Sequence, residues 1–197
     1  MDQITHRDRS LSLPNLLTYG RIAAVPALVG CFFLSGDVAH WLAFTIFVAA
    51  GITDFLDGYL ARAWAQQSSL GRMLDPIADK LLVAAALMML AANQTIAGWS
   101  LWAAVIILSR EILVSGLREF LAELDVSVPV TRLSKYKTTM QIVAISFLLA
   151  GPAADKIFDG ITAIGLTLLW ISALLTLYTG YDYLRAGLRH AMDDGGR

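Results

Sequence analysis

Six apolar runs, at about 14–34, 39–60, 76–92, 98–117, 138–151 and 157–182, leave this chain few ways to fold. Each reaches or approaches the roughly 20 residues that a helix needs to cross the hydrocarbon core of a bilayer. The breaks between them, at 35–40, 66–72, 93–98, 123–134 and 152–156, are short and polar, so no soluble module fits between the runs. Charged residues make up 16% of the chain, against roughly 25% in soluble proteins. The expectation is an all-α integral membrane bundle of six transmembrane helices forming a single domain over 1–197.

The first run follows His6, Arg7 and Arg9, as a signal peptide would, but it is long and lacks a small-x-small cleavage site. It reads as a retained helix. The single cysteine, Cys31, lies inside it, which excludes an intramolecular disulfide and fits a buried apolar thiol.

Loop charges orient the bundle. Eleven of the fifteen Lys and Arg, among them Arg21, Arg62, Arg72 and Lys135, fall on one side, and only Lys156 falls clearly on the other. By the positive-inside rule, both termini and the 61–72 and 122–137 loops are expected in the cytoplasm. A multi-pass membrane protein follows, with lipids as neighbours and no nucleic-acid partner.

Acids that interrupt such runs need a reason, since each costs about 2.5–3.5 kcal/mol at a helix centre. Asp54 and Asp57 stand three apart on the second run, with Gly58 and Ala61 continuing their face, and Asp75 and Asp79 stand four apart on the third. The short turn between makes the two helices antiparallel neighbours, so both pairs converge near the cytoplasmic surface. Four converging carboxylates repel one another unless cations neutralise them. An oxygen-only ligand set, with His6, His40 and His190 all at or beyond span ends, favours Mg²⁺ or Mn²⁺ over Zn²⁺. Each acid also has an ordinary structural role open to it. Asp75 before Pro76 could be an N-cap, Asp79 could pair with Lys80 or Arg62, and Asp54 could cap a turn with Thr53.

Residues 54–79, DFLDGYLARAWAQQSSLGRMLDPIAD, have the form DxxDGxxARx(8)GxxxDxxxD. This resembles the signature of the CDP-alcohol phosphotransferases at every fixed position. LPNLLTYGR at 13–21 is similar to the start of the first helix in that family. SREILVSGLRE at 109–119 and KYKTTMQ at 135–141 resemble the fourth and fifth helices of its phosphatidylglycerophosphate synthase branch, with Ser134 standing where that branch carries glycine.

The resemblance implies two Mg²⁺ (or Mn²⁺) ions on Asp54, Asp57, Asp75 and Asp79, with Asp79 also the general base. It implies that Asn15, Thr18, Gly58, Ala61, Arg62 and Ser68 contact the CDP-lipid. The implied reaction moves a phosphatidyl group from CDP-diacylglycerol to glycerol 3-phosphate with release of CMP, in a homodimer. Arg110, Arg118, Lys135 and Lys137, at or near span ends, are candidates to bind the acceptor phosphate, although basic residues there also serve as topology determinants. Within the enzyme class, inositol phosphate, serine or phosphatidylglycerol are the other acceptors. Of another class, a cation transporter would place its acids near mid-membrane between repeated halves, and no internal repeat is visible. Tyr178, Tyr181, Tyr183, Trp99 and Trp102 read as interfacial anchors.

Overall fold

The computed structural model describes the backbone of residues 13–64, 69–123 and 132–194, and side-chain surroundings over 16–54, 73–121 and 136–181. Among the described residues the chain is all-helical, with no strand. Its helices are α1 (Leu13–Cys31), α2 (Asp37–Trp64), α3 (Ser69–Ala92), α4 (Ser100–Glu123), α5 (Arg132–Ala154) and α6 (Ile161–Asp194).

The helices overrun the apolar stretches because intrahelical hydrogen bonding continues where hydropathy stops. Beginning at Ser69, α3 places Pro76 inside the helix rather than at its first position, which removes the N-cap reading of Asp75. Over Ser100–Leu121 and Ile161–Tyr181 the chain is long and apolar enough to cross a membrane, and Leu16–Cys31 is a shorter apolar helix. Outward faces carry large apolar side chains, including Ile112, Leu113, Leu174 and Leu177. Apolarity all round a helix marks an element meant for an apolar surrounding.

The interior is built from Leu28, Phe47, Leu87, Leu90, Ile107, Ile145, Leu148 and Leu169, with Ala43, Ala86, Ala103, Ala144 and Ala173 between them. Small residues at these contacts let backbones approach closely. Gly165 is the sharpest case: a Cβ there would stand 2.9 Å from Leu148 Cγ and 3.2 Å from the Leu148 backbone nitrogen. This close approach belongs to the α5–α6 pair, the most extensively packed in the bundle, while α6 also packs on α4, and α2 on α5.

One expectation about neighbours changes. Among the described residues α2 and α3 barely touch; both pack instead on α1, which lies between them. At the end of α2 remote from Asp54, Asp37 pairs with Lys156 at 2.5 Å. Close by in sequence, Asp155 accepts a hydrogen bond from the Thr162 backbone N–H at 3.1 Å, serving one of the open donors in the first turn of α6.

Candidate active site

Because α1 separates α2 from α3, the acids of those two helices meet across an α1 side chain. Arg21 is 1% exposed, and its Nη1 lies 2.9 Å from Asp54 Oδ1 and 2.7 Å from Asp79 Oδ1. Three residues earlier, on the same face of α1, the buried Thr18 donates its hydroxyl hydrogen to Asp75 Oδ1 at 2.5 Å. Three carboxylates from two helices are thus gathered by one face of a third.

Two of the ordinary roles open to these acids are filled otherwise, while pairing of Asp79 with Arg62 falls outside the residues whose side-chain surroundings are described. Lys80 donates to the Pro76 carbonyl at 3.1 Å rather than pairing with Asp79, and Thr53 donates to the Ala50 carbonyl at 2.8 Å, not to Asp54. Asp54 and Asp79 remain nearly half exposed, at 44% and 45%. Both line a cavity of about 500 Å³, together with Arg21, Arg110, Glu111, Arg118 and Gln141. Carboxylates open on one side to a cavity and held on the other by a buried cation are poised to meet a ligand.

Whether these residues suit divalent metal can be judged from the donor set. Two carboxylate oxygens from different helices lie within 3 Å of a single guanidinium nitrogen, so a cationic centre already sits where they converge. Carboxylate oxygens are the hard donors that Mg²⁺ or Mn²⁺ takes, so the chemistry of Asp54 and Asp79 suits such an ion. Among the described residues no set of three acids, histidines or cysteines closes around one point, since Asp75 turns to Thr18 while Asp54 and Asp79 turn to Arg21.

At the other polar side of the cavity, α4 presents Arg110, Val114 and Arg118 at four-residue spacing, beside Glu111, Ser115 and Glu119. Arg110 donates to Thr179 on α6 at 3.3 Å and lies 3.4 Å from Glu111. Gly180 leaves room for it, since a Cβ there would stand 3.1 Å from Arg110 Cγ. Lys137 on α5 is buried, and its ammonium pairs with Glu111. It is absent from the cavity lining, in contrast to Arg110 and Arg118.

A profile for CDP-alcohol phosphatidyltransferase matches residues 11–178, a span that takes in α1 to α5, both acid pairs and the larger part of α6. The chain belongs to the CDP-alcohol phosphatidyltransferase family. Curated relatives in that family are similar over most of their length. A protein of Rickettsia bellii is 46% identical over 89% of this chain and 94% of its own. One from Cereibacter sphaeroides is 38% identical over 93% and 98%, and one from Arabidopsis thaliana is 39% identical over 89% and 79%. The bacterial pair are both named CDP-diacylglycerol--glycerol-3-phosphate 3-phosphatidyltransferase, and the plant protein carries that name with the suffix 2.

Of the site residues expected from sequence, this member of the CDP-alcohol phosphatidyltransferase family brings Asp54, Asp79, Arg110 and Arg118 to one cavity and ties Asp75 to Thr18. Lys137 stands behind Glu111. Asn15, Asp57, Gly58, Ala61, Arg62, Ser68 and Lys135 lie outside the residues whose side-chain surroundings are described. Among the cavity residues that the sequence did not mark as site residues are Arg21, Glu111 and Gln141. Arg21 had been counted with the topology cations, yet its place three residues after Thr18 puts it on the same helical face. Glu111 had a signal of its own, an acid inside an apolar run.

Proposed function

We propose that this chain is a phosphatidylglycerophosphate synthase, a metal-dependent enzyme that transfers the phosphatidyl group of CDP-diacylglycerol to glycerol 3-phosphate and releases CMP. The observation that carries the reading is one cavity with carboxylates on one side and arginines on another, Asp54 and Asp79 facing it together with Arg110 and Arg118. Relatives at 38–46% identity bearing that activity in their names support the choice of acceptor. The six helices are read as six membrane spans with both termini cytoplasmic, placing the acids at the cytoplasmic surface of a bacterial inner membrane. The active form is read as a homodimer.

In this reading Asp54, Asp57, Asp75 and Asp79 hold two Mg²⁺ or Mn²⁺ ions. Bound there, the metal would neutralise the pyrophosphate of the donor and the charge that develops on the departing CMP. The chain's own residues do the rest. Asn15, Thr18, Gly58, Ala61, Arg62 and Ser68 seat the CDP-lipid head group, and Arg110, Arg118 and Lys135 hold the acceptor phosphate as cations suited to paired oxygens. Lys137 contributes charge from behind Glu111.

The Asp79 carboxylate takes the proton from the primary hydroxyl of glycerol 3-phosphate. That oxygen forms a bond to the phosphorus bearing diacylglycerol, and the bond from this phosphorus to the oxygen bridging it to CMP breaks, CMP leaving with the electron pair. Positioning and charge neutralisation suffice for such a displacement, so no covalent enzyme intermediate is required.

The test is CMP release from CDP-diacylglycerol by protein purified in mild detergent with Mg²⁺, with glycerol 3-phosphate, inositol phosphate, serine or phosphatidylglycerol added separately. Release that needs glycerol 3-phosphate and stops with chelator is expected. Release driven by another acceptor would reassign the arginine pocket, and none at all from folded protein would remove the assignment. A cation transporter, by contrast, would move ions in a vesicle uptake assay without CMP release.

A further inference from the structure

The mechanism above gives tasks to Asp54, Asp79, Arg110 and Arg118 of the cavity but none to Gln141. Gln141, on α5, is 3% exposed and faces the same cavity as Asp54, Asp79, Arg110 and Arg118. Its Oε1 is buried and has no hydrogen-bond partner among the described residues. Buried side-chain carbonyls are nearly always partnered, so an exception on a cavity wall points to a donor that arrives with the ligand.

The chemistry of that donor can be narrowed. An ionised phosphate offers only acceptors, and the arginines already suit it. The reacting hydroxyl gives its proton to Asp79. An ammonium donor would sit in the field of Arg110 and Arg118. Among the groups of the acceptor a second hydroxyl remains, and it serves the amide in either orientation of the Gln side chain, because a hydroxyl both donates and accepts.

We propose that Gln141 pairs with the secondary hydroxyl of the acceptor and makes the cavity selective for a phosphorylated polyol over a phosphorylated simple alcohol. This rests on the functional reading above and names what sets its acceptor preference. Once the hydroxyl is bound, the buried amide is satisfied; with an acceptor lacking it, the amide stays buried without a partner, which is where discrimination arises.

The decisive comparison is kcat/KM for glycerol 3-phosphate against 3-hydroxypropyl phosphate, which keeps the chain length, the phosphate and the primary hydroxyl but lacks the secondary one. Wild-type protein should prefer glycerol 3-phosphate by about 10- to 100-fold. In Gln141→Leu and Gln141→Met that preference should shrink to about threefold or less, while the KM for CDP-diacylglycerol stays near the wild-type value. Equal use of both acceptors by the wild type overturns the inference and needs no variant to fold. So does an equal loss on both acceptors in the variants, which would place Gln141 on the phosphate or in the scaffold. If glycerol 3-phosphate drives no CMP release in the wild type, it is the functional reading itself that falls, and this inference with it.

Discussion

Replacing Arg21 with methionine keeps the bulk of the side chain and removes its charge, and the consequence can be worked from the geometry. Arg21 is 1% exposed and holds Asp54 and Asp79 at 2.9 and 2.7 Å, while the two carboxylates are 44% and 45% exposed. Breaking a fully buried pair costs about 3–5 kcal/mol, and an exposed pair contributes about 0–1 kcal/mol. Half-exposed partners place Arg21→Met between these limits, at about 2 kcal/mol. For a chain of this size that corresponds to a fall of about 4–8 °C in Tm. The assay is thermal unfolding in detergent, with chelator and with millimolar Mg²⁺. Divalent metal supplies the positive charge that methionine lacks, so the variant should gain more from Mg²⁺ than the wild type and the gap should close by about half or more. A gap of the same size in both conditions would refute the idea that Arg21 and metal serve the same carboxylates. A variant as stable as the wild type in chelator would refute the charge argument itself.

Four further outcomes are expected. Asp79→Asn should lower turnover by about 10²- to 10⁴-fold, as loss of a general base does, while CDP-diacylglycerol binding measured by titration stays detectable. Arg118→Gln should raise the KM for glycerol 3-phosphate by about 10- to 100-fold and that for CDP-diacylglycerol far less; equal effects would take Arg118 out of the acceptor pocket. Lys137→Met removes the nearer of the two cations on Glu111, Arg110 remaining at 3.4 Å, and should cost about 2 kcal/mol in denaturation, below the about 3–5 kcal/mol of a buried pair broken outright, with Glu111→Gln added in the same chain restoring a measurable part. Gly165→Ala should destabilise by about 1–3 kcal/mol through the Leu148 clash, whereas Gly116→Ala, where a Cβ meets nothing within 4 Å, should be neutral or slightly stabilising in the same melt.

Much of the candidate site was legible before any coordinates. The spacing of Asp54, Asp57, Asp75 and Asp79 within apolar runs marks a carboxylate cluster, because isolated charges there are too costly to keep without a use. What the pattern left open was how the two acid pairs meet. The short 66–72 break suggested direct neighbours, yet among the described residues α1 lies between α2 and α3, a choice made by packing that no local pattern records.

The same division runs through the basic residues. Sequence marked Arg110, Arg118 and Lys137 as one group by their place near span ends, but a helical face looks alike in sequence whether it meets a cavity or a partner side chain. Only the packed structure separates Arg110 and Arg118 on the cavity wall from Lys137 buried on Glu111. Gln141 was invisible for a related reason: a polar residue in a helix becomes informative only once its burial and lack of a partner are known. The sequence by itself determined that the chain is helical and apolar, and that acids at helical spacing interrupt its apolar runs, since hydropathy and helical period act over a few turns. Tertiary structure alone decided that Arg21 joins those acids and that Gln141 faces the same cavity, because both depend on contacts between helices distant along the chain.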